Sequence, residues 1–382
     1  MSILIKNGKL LRMSDDKEFI GDILIKENKI IKVSKNIDHI AGDLLIDAKL
    51  NYITPGLIDS HCHIGMWEDG MNFEGADGNE TTDPITPNLD AIYGLNPLDP
   101  CFEEAYKAGV TTVVTGPGSA NVIGGTFVAL KTFGAQLEEM VIKNPVAMKS
   151  ALGENPKTCY SNKGKSPSTR MAIASMLRET LIKAKEYSNK KNQDETPPKL
   201  DFKLEALEDI VNGKMIMKTH AHRADDIMTA VRVSKEFNLN MTIDHCTEGH
   251  LITDYLKKNS VKPIIGPIMT GRSKIELKNL SMKAPAILSK AGIKFAMMTD
   301  HPVIPIQYLA VQASLAVKEG LNEMEALKSI TINAAEFTGI SDKLGSLEEG
   351  KDADIVIWSK FPLDWQTSPK YVIINGKIVY KK

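Results

Sequence analysis

The feature that most constrains the fold is a repeated alternation of short apolar runs with amphipathic segments through the middle of the chain. Runs with the length of buried strands recur at residues 57–63, 110–115, 127–131, 145–152, 214–220, 240–245, 261–266 and 293–299. Segments such as FEEAYKAG and ADDIMTAVRVSKEF have the apolar period of helices and lie between many of these runs. This alternation predicts an α/β fold, a (β/α)8 or TIM barrel. A doubly wound open sheet is the alternative, but it predicts a GxGxxG turn that the sequence lacks.

The two ends of the chain differ from the middle. ILIKNGKLL and GDILIKENKIIKV near the start, and KYVIINGKIVYKK at the end, are alternating runs interrupted by turn residues. Because chain ends often lie close together in a folded protein, we expect residues 1–53 and 345–382 to form one small β-sandwich module. Residues 54–344 would then form the barrel.

Composition and charge exclude several classes of function. The 382 residues are 42% hydrophobic and carry a net charge of −1, which favours neither nucleic acid nor an anionic membrane. No apolar run approaches the roughly 20 residues that a membrane-spanning helix needs, and the first residues lack a secretory signal pattern. The four cysteines have the spacing of neither a zinc ribbon nor a disulfide framework. We therefore expect a cytoplasmic protein with a small-molecule substrate.

Side chains that can bind a metal ion follow the predicted strands. Six of the eight histidines lie in four short motifs, HCH, THAH, DHC and TDHP. His61 and His63 end the first strand and point to the same side, because side chains alternate along a strand. The polar residues at or just beyond strand ends are His61, His63, Glu154, His220, His222, His245 and Asp300. Since the carboxyl ends of barrel strands meet at one face, we expect one shared site there.

Imidazole nitrogen and carboxylate oxygen are ligands that zinc and related divalent ions take in proteins. We expect a first ion held by His61, His63 and Asp300 and a second held by His220 and His245. Each motif alone is also compatible with an ordinary histidine pair or a helix cap. Five such coincidences at strand ends favour a shared metal site, with one or two ions per chain.

A bridging carboxylate would complete a two-ion site, and two residues compete for this role. Glu154 is preferred because it has the strand parity of Met148 and Ser150, whereas Lys149, which would have to be carbamylated, faces the other way. A bulge before Gly153 would invalidate that argument.

Several sequence motifs resemble those of a known protein family. PGLIDSHCHIG resembles the PGxIDxHxH pattern of the metal-dependent amidohydrolase superfamily. GSLEEGKDADIVIW resembles the segment by which the chain of that superfamily returns from the barrel into a small β-module. The order HxH, Glu, His, His, Asp resembles one of its two-ion patterns. GENPK, PSTRM, HAHRADDI and MTDHPVIP resemble a branch related to imidazolonepropionase-like enzymes. The resemblance covers nearly the whole chain, but it does not identify a substrate, because this fold hosts many reactions.

The resemblance implies a metal-dependent hydrolase that cleaves a C–N bond with a metal-activated hydroxide. Asp300 would transfer the proton, and His222 or a backbone N–H would help to polarise the substrate carbonyl. The substrate would be a cyclic amide, an N-acyl amino acid or a dipeptide-like molecule. The resemblance also leaves a homo-oligomer open.

Three arginines are candidates for substrate binding. Arg170, Arg223 and Arg272 each follow a predicted strand end, and a guanidinium can bind a carboxylate through two parallel hydrogen bonds. The alternative for each is an arginine on a helix surface.

Two other functions stay open at this point. One is deamination of an amino-substituted heterocycle, which needs the same metal site. The other is a barrel that binds without catalysis, which the complete set of predicted ligands disfavours.

Overall fold

The computed structural model describes residues 2–40, 42–193 and 197–382. Within these ranges the chain forms two sheets of eight strands each. The strands are β1 (Ser2–Leu11), β2 (Glu18–Lys26), β3 (Lys29–Ser34), β4 (Leu44–Asp47), β5 (Tyr52–Pro55), β6 (Leu57–Cys62), β7 (Val110–Thr115), β8 (Ile123–Lys131), β9 (Val141–Ala151), β10 (Ile216–Ala221), β11 (Met241–His245), β12 (Lys262–Ile265), β13 (Ala296–Met297), β14 (Ile355–Trp358), β15 (Pro369–Ile374) and β16 (Lys377–Lys381).

The helices lie mostly between strands of the central region. They are α1 (Cys101–Lys107), α2 (Leu137–Met140), α3 (Glu154–Ser161), α4 (Arg170–Gln193), α5 (Phe202–Glu205), α6 (Glu208–Val211), α7 (Ala224–Phe237), α8 (Thr253–Lys258), α9 (Ala284–Lys290), α10 (Leu309–Lys318), α11 (Glu323–Ser329) and α12 (Ile332–Phe337). Short 3-10 turns occupy Ala91–Tyr93, Gly249–Leu251, Ile275–Leu277 and Ile306–Tyr308. Among the described helices, none combines the length and the apolar character that crossing a membrane requires.

The central sheet is a nearly closed barrel of strands β6 to β13 in sequence order. Each predicted strand run overlaps one of these strands. Strands such as β7 and β10 are buried along their whole length, as expected for a sheet covered on both faces. The barrel edges meet where Ser60 Oγ donates to the Met297 carbonyl (3.1 Å) and the Asp300 amide donates to the His61 carbonyl (3.2 Å).

The structure departs from the predicted uniform alternation at the third barrel strand. β8 runs antiparallel to both β7 and β9, whereas the other neighbouring pairs are parallel. Residues 116–122 join β7 to β8 without a helix. A connection this short can join only antiparallel neighbours, because a parallel pair needs a crossover of about a dozen residues or more.

The second sheet is built from both ends of the chain. Its order is β16-β15-β14-β5-β1-β2-β3, and β4 pairs with β1 beside this path. The expected pairing of the two ends is therefore present as a separate sheet. β5 continues to Pro55, across the predicted boundary at residue 53. The division into residues 1–53 with 345–382 and residues 54–344 stays a prediction.

A buried ion cluster connects the two sheets. Lys131, at the end of β8, is almost fully buried, and its Nζ lies 3.1 Å from Asp352 Oδ2 and 2.9 Å from Asp354 Oδ2. Lys29 Nζ lies 2.8 Å from the other oxygen of Asp352. Burial alone would raise the pKa of Asp352, but the two nearby ammonium groups outweigh it and lower that pKa.

We predict that Lys131→Met lowers the free energy of unfolding by about 3–5 kcal/mol, because it leaves the buried Asp354 carboxylate without its counter-charge. Urea denaturation would measure the change. Lys183→Met is the matched control, since its ion pair with Glu179 is exposed on α4 and contributes less than about 1 kcal/mol. If both variants lost the same small amount of stability, the cluster would not stabilise the junction between the sheets.

Candidate metal centre

A cavity of about 340 Å³ opens at the carboxyl end of the barrel strands. Its volume lies in the range of about 300–1,000 Å³ that is usual for small-molecule sites. Five of the predicted metal-binding or catalytic residues line it, namely His63, His220, His222, His245 and Asp300. His61 lies fully buried beneath them at the end of β6.

The first group of possible ligands surrounds one carboxylate oxygen. Asp300 Oδ1 lies 3.4 Å from His61 Nε2 and 3.2 Å from His63 Nε2. The Nδ1 atom of His63 lies 2.7 Å from the Gly116 carbonyl. A carbonyl oxygen can only accept a hydrogen bond, so this contact places the proton on Nδ1 and leaves Nε2 free to act as a ligand. The structure thus brings together the three residues predicted for a first ion.

The second group consists of three imidazoles. Possible ligand atoms of His220, His222 and His245 lie within 4.8 Å of one another. Their ring centroids are 4.3–4.6 Å apart. His245 also forms a group with His61 and Asp300 of the first group, so it links the two groups.

Hydrogen bonds orient the rings of the second group. His245 Nδ1 lies 2.8 Å from the Gly266 carbonyl, and His222 Nδ1 lies 2.7 Å from Thr247 Oγ1. His220 Nδ1 is buried and has no hydrogen-bond partner in the described part of the chain. A buried nitrogen without a partner is costly. Coordination of a metal ion at this position would remove that cost.

The protonation states suit a cation. Burial lowers the pKa of His245 to about 4, and burial together with the neighbouring His245 ring lowers the pKa values of His220 and His222 well below their usual value. These imidazoles are therefore neutral, as metal ligands must be. Burial opposes ionisation of Asp300, but the imidazoles of His245, His61 and His63 hold its pKa well below its usual value. Neutral imidazoles with one carboxylate are a donor set typical of zinc.

Two residues of the centre have unusual backbone conformations. His245 ends β11 and Asp300 follows β13, and both have positive φ values, 68° and 57°. Residues other than glycine adopt this region at a cost, and such residues cluster at functional sites. The strain supports a functional assignment for both residues.

Glu154, the residue predicted to bridge two ions, does not line the cavity that holds the histidines. Its Oε2 accepts a hydrogen bond from the Glu276 amide at 3.4 Å. Lys149 does line it, fully buried, with Nζ 3.4 Å from His61 Nε2. β9 ends at Ala151 and the chain turns at Gly153 (φ 89°), so strand parity does not extend to residue 154.

Lys149 faces the inside of the barrel because of the register between β9 and β10. It lies beside Lys218 of β10, and both ammonium groups point to Asp244 of β11, at 3.5 Å and 3.0 Å. His61 Nδ1 lies 3.1 Å from the same carboxylate. Our sequence reasoning did not select Asp244 or Lys218. The available signal was the charged residue in each of the apolar words MIMKTH and MTIDH, where a charge would otherwise face the core.

The three arginines predicted to bind substrate lie elsewhere. Arg170 Nε is 3.0 Å from Asp226 Oδ1, and Arg223 forms an ion pair with Asp225 at 2.8 Å. Arg272 donates to the carbonyls of residues 278 and 280. None of the three lines the cavity that holds the histidines, and their role in substrate binding stays a prediction.

The cavity has walls that our sequence reasoning did not identify. Trp67, from the long segment after β6, packs its ring 4.9 Å from the His63 ring. Gly78 and Gly118 make room for it, since a Cβ on either would lie 1.9 Å or 2.8 Å from the indole. Lys274 and Asn155 line another wall. Trp67 and Lys274 lie several residues beyond the strand ends, and Asn155 was passed over in favour of its neighbour Glu154.

Comparison with known proteins supports the architecture. The sequence model of the amidohydrolase family matches residues 52–379. A crystal structure of an amidohydrolase from Thermotoga maritima MSB8 is 39% identical, covers 100% of both chains and has a TM-score of 0.96.

Two curated relatives match in sequence. Amidohydrolase tasK of Hapsidospora irregularis is 29% identical over 362 residues, which cover 87% of this chain and 37% of that protein. Imidazolonepropionase of Thermoplasma volcanium is 35% identical over 102 residues, which cover 24% of this chain and 25% of that protein. The matched regions therefore span well under half the length of these two relatives.

The expected family resemblance is confirmed, because the family model extends over both sheets and the Thermotoga maritima structure matches from end to end. This chain belongs to the amidohydrolase family.

Proposed function

We propose that the protein is a metal-dependent hydrolase that cleaves a C–N bond in a small molecule, a cyclic amide, an N-acyl amino acid or a dipeptide-like compound. The observation that carries this proposal is that His245 lies in one group with His220 and His222 and in another with His61 and Asp300. His245 thus links the residues proposed for the two ions, so both sets belong to the same cavity.

The residues proposed to hold metal follow from the two groups. His61, His63 and Asp300 would hold a first ion, and His220 and His245 a second. The buried, unpartnered His220 Nδ1 and the neutral imidazoles fit such ions. When bound, divalent ions, for which we propose Zn²⁺, supply a Lewis acid that polarises a carbonyl and acidifies a water molecule.

Asp300 is the proposed proton carrier. Its low pKa keeps it ionised, so its carboxylate can accept a proton from the attacking water and return it to the leaving nitrogen. Its Oδ1 atom is held between His61 and His63, which fixes the acceptor in the cavity. The same residue would thus serve as ligand and as general base.

His222 is reassigned within the proposal. The sequence suggested a role in polarising the carbonyl, but its ring stacks on His245 with centroids 4.3 Å apart, inside the second group. Thr247 fixes the Nδ1 side of this ring. We assign His222 as a third nitrogen ligand at the second position.

Lys149 is the proposed bridge after carbamylation. Burial, reinforced by nearby Lys218 and opposed by Asp244, lowers the pKa of Lys149 to about 8. A larger fraction of its amine is therefore neutral near pH 7 than for an exposed lysine. The neutral nitrogen can attack the carbon of CO₂, form an N–C bond and release one proton. The product is a carboxylate at the position where Glu154 was expected.

We predict that His61→Ala loses at least one zinc ion per chain, because it removes a direct ligand. His39→Asn is the control, since His39 is exposed in the end sheet region and should keep the full metal content. Elemental analysis after dialysis measures both. Chelation of the unmodified protein should also lower its thermal midpoint, since loss of a bound ligand destabilises the folded state. Equal metal content in both variants would contradict the assignment.

The second prediction separates the two candidate bridges. Lys149→Met should lower the zinc content from two ions per chain to one or fewer, whereas Glu154→Gln should leave it unchanged. Protein equilibrated with ¹³C-bicarbonate should show a carbamate carbon signal by NMR, and the Lys149→Met variant should not. The reverse pattern of metal loss would restore Glu154 as the bridge.

The proposed reaction itself is tested with zinc-loaded protein, a panel of amides and a panel of amino-substituted heterocycles. We expect release of a free amine or a ring-opened acid from N-acyl amino acids, dipeptides or cyclic amides. Ammonia release from amino-substituted purines, pyrimidines or triazines would instead support the deaminase alternative. No turnover in any panel would support the non-catalytic barrel.

A further inference from the structure

The cavity carries a cationic side chain that the proposed metal chemistry does not use. Lys274 lies on the segment after β12, just before the 3-10 turn at residues 275–277, and it lines the cavity with about a quarter of its side chain exposed. Lys149 is fully buried and is the proposed carbamylation site, so it offers no ammonium to a substrate. Lys274 is therefore the lysine positioned to meet a substrate group directly.

The contacts of Lys274 hold its ammonium in place without saturating it. Nζ donates to Asn155 Oδ1 at 3.0 Å and forms an ion pair with Glu276 Oε1 at 2.7 Å. An ammonium has three N–H donors. A third partner can therefore bind from the cavity side.

Glu276 connects this lysine to the proposed metal centre. Its carboxylate is fully buried, and Oε1 lies 3.6 Å from both His220 Nε2 and His222 Nε2. One oxygen atom thus contacts the ammonium and lies close to two imidazoles of the second ligand group. A substrate group bound by Lys274 would consequently lie close to the reacting bond.

The surrounding wall is rich in donors. Asn155 Nδ2 donates to Ser119 Oγ at 2.7 Å, so the hydroxyl proton of Ser119 is available to another acceptor. Asn79 Oδ1 accepts from the Ala120 amide, which leaves the NH₂ group of Asn79 to donate. Donors around a cation complement a group that only accepts, and a carboxylate is such a group.

We propose that Lys274 binds a carboxylate located next to the scissile C–N bond, so that the substrates are N-acyl amino acids, dipeptides or cyclic amides that carry a free carboxylate. This inference rests on the proposed function, because it takes the metal centre as the place of reaction. It assigns to Lys274 the role that the sequence suggested for three arginines.

The test compares acids with their neutral amides. Zinc-loaded protein is titrated calorimetrically with a panel of N-acetyl-L-amino acids and the matching carboxamides. We expect the acids to bind about 10- to 100-fold more tightly, and Lys274→Met to remove this preference while changing amide binding by less than about twofold. Lys278→Met, an exposed lysine in the same segment, is the control and should retain the preference.

A second variant excludes a general loss of structure. Glu276→Gln removes the counter-charge but keeps the lysine, so acid binding should strengthen, whereas a damaged cavity would bind both compound types less well. Zinc content is measured for every variant.

Failures of the two proposals can be told apart. If no acid in the panel is preferred over its amide, or if Lys274→Met weakens both equally, the assignment of Lys274 is overturned. If the preference is present but no compound is hydrolysed, the assignment stands and the proposed function fails.

Discussion

The burial of charged groups against one carboxylate, Asp244, is the interaction on which the rest of the site depends. This carboxylate is inaccessible to solvent and contacts Lys218, Lys149 and His61. Unpaired, each of these charges would be expensive inside the barrel. Asp244 compensates these charges in part in the unmodified protein, and both ammonium groups then lie over the Phe127 ring at 5.5–5.6 Å. The network sets the position of His61 and Lys149 beneath the cavity.

The closure of the barrel positions the other half of the site. The Asp300 amide donates to the His61 carbonyl, and the His63 amide donates to the His301 carbonyl at 2.8 Å. These bonds join the first barrel strand to the segment after the last one. The two ends of the barrel therefore meet at the residues proposed to hold the first ion, so the fold and the site depend on the same contacts.

Much of this arrangement can be predicted from local sequence. Strand-end histidines are visible because HxH or DH directly after an apolar run marks the point where a buried strand ends, and parallel strands bring such ends together. The choice between Glu154 and Lys149 could not be made, because it depends on where β9 ends and on its register with β10. The antiparallel course of β8 was missed because an apolar run has the same pattern in either direction.

Contacts between distant segments were the hardest to predict. Lys274, Glu276 and Trp67 lie on long connections with no periodic pattern, and their roles depend on which strand ends they cover. The contacts of the three arginines were missed for a related reason, since each has a protein partner that spacing alone does not show.

The most direct test is diffraction at the zinc absorption edge from crystals grown with zinc and bicarbonate. The account predicts two anomalous peaks, one bounded by His61, His63 and Asp300 and the other by His220, His222 and His245, with extra density extending from Lys149 between them. A map without peaks in this cavity, with the imidazoles turned away from one another, would contradict it.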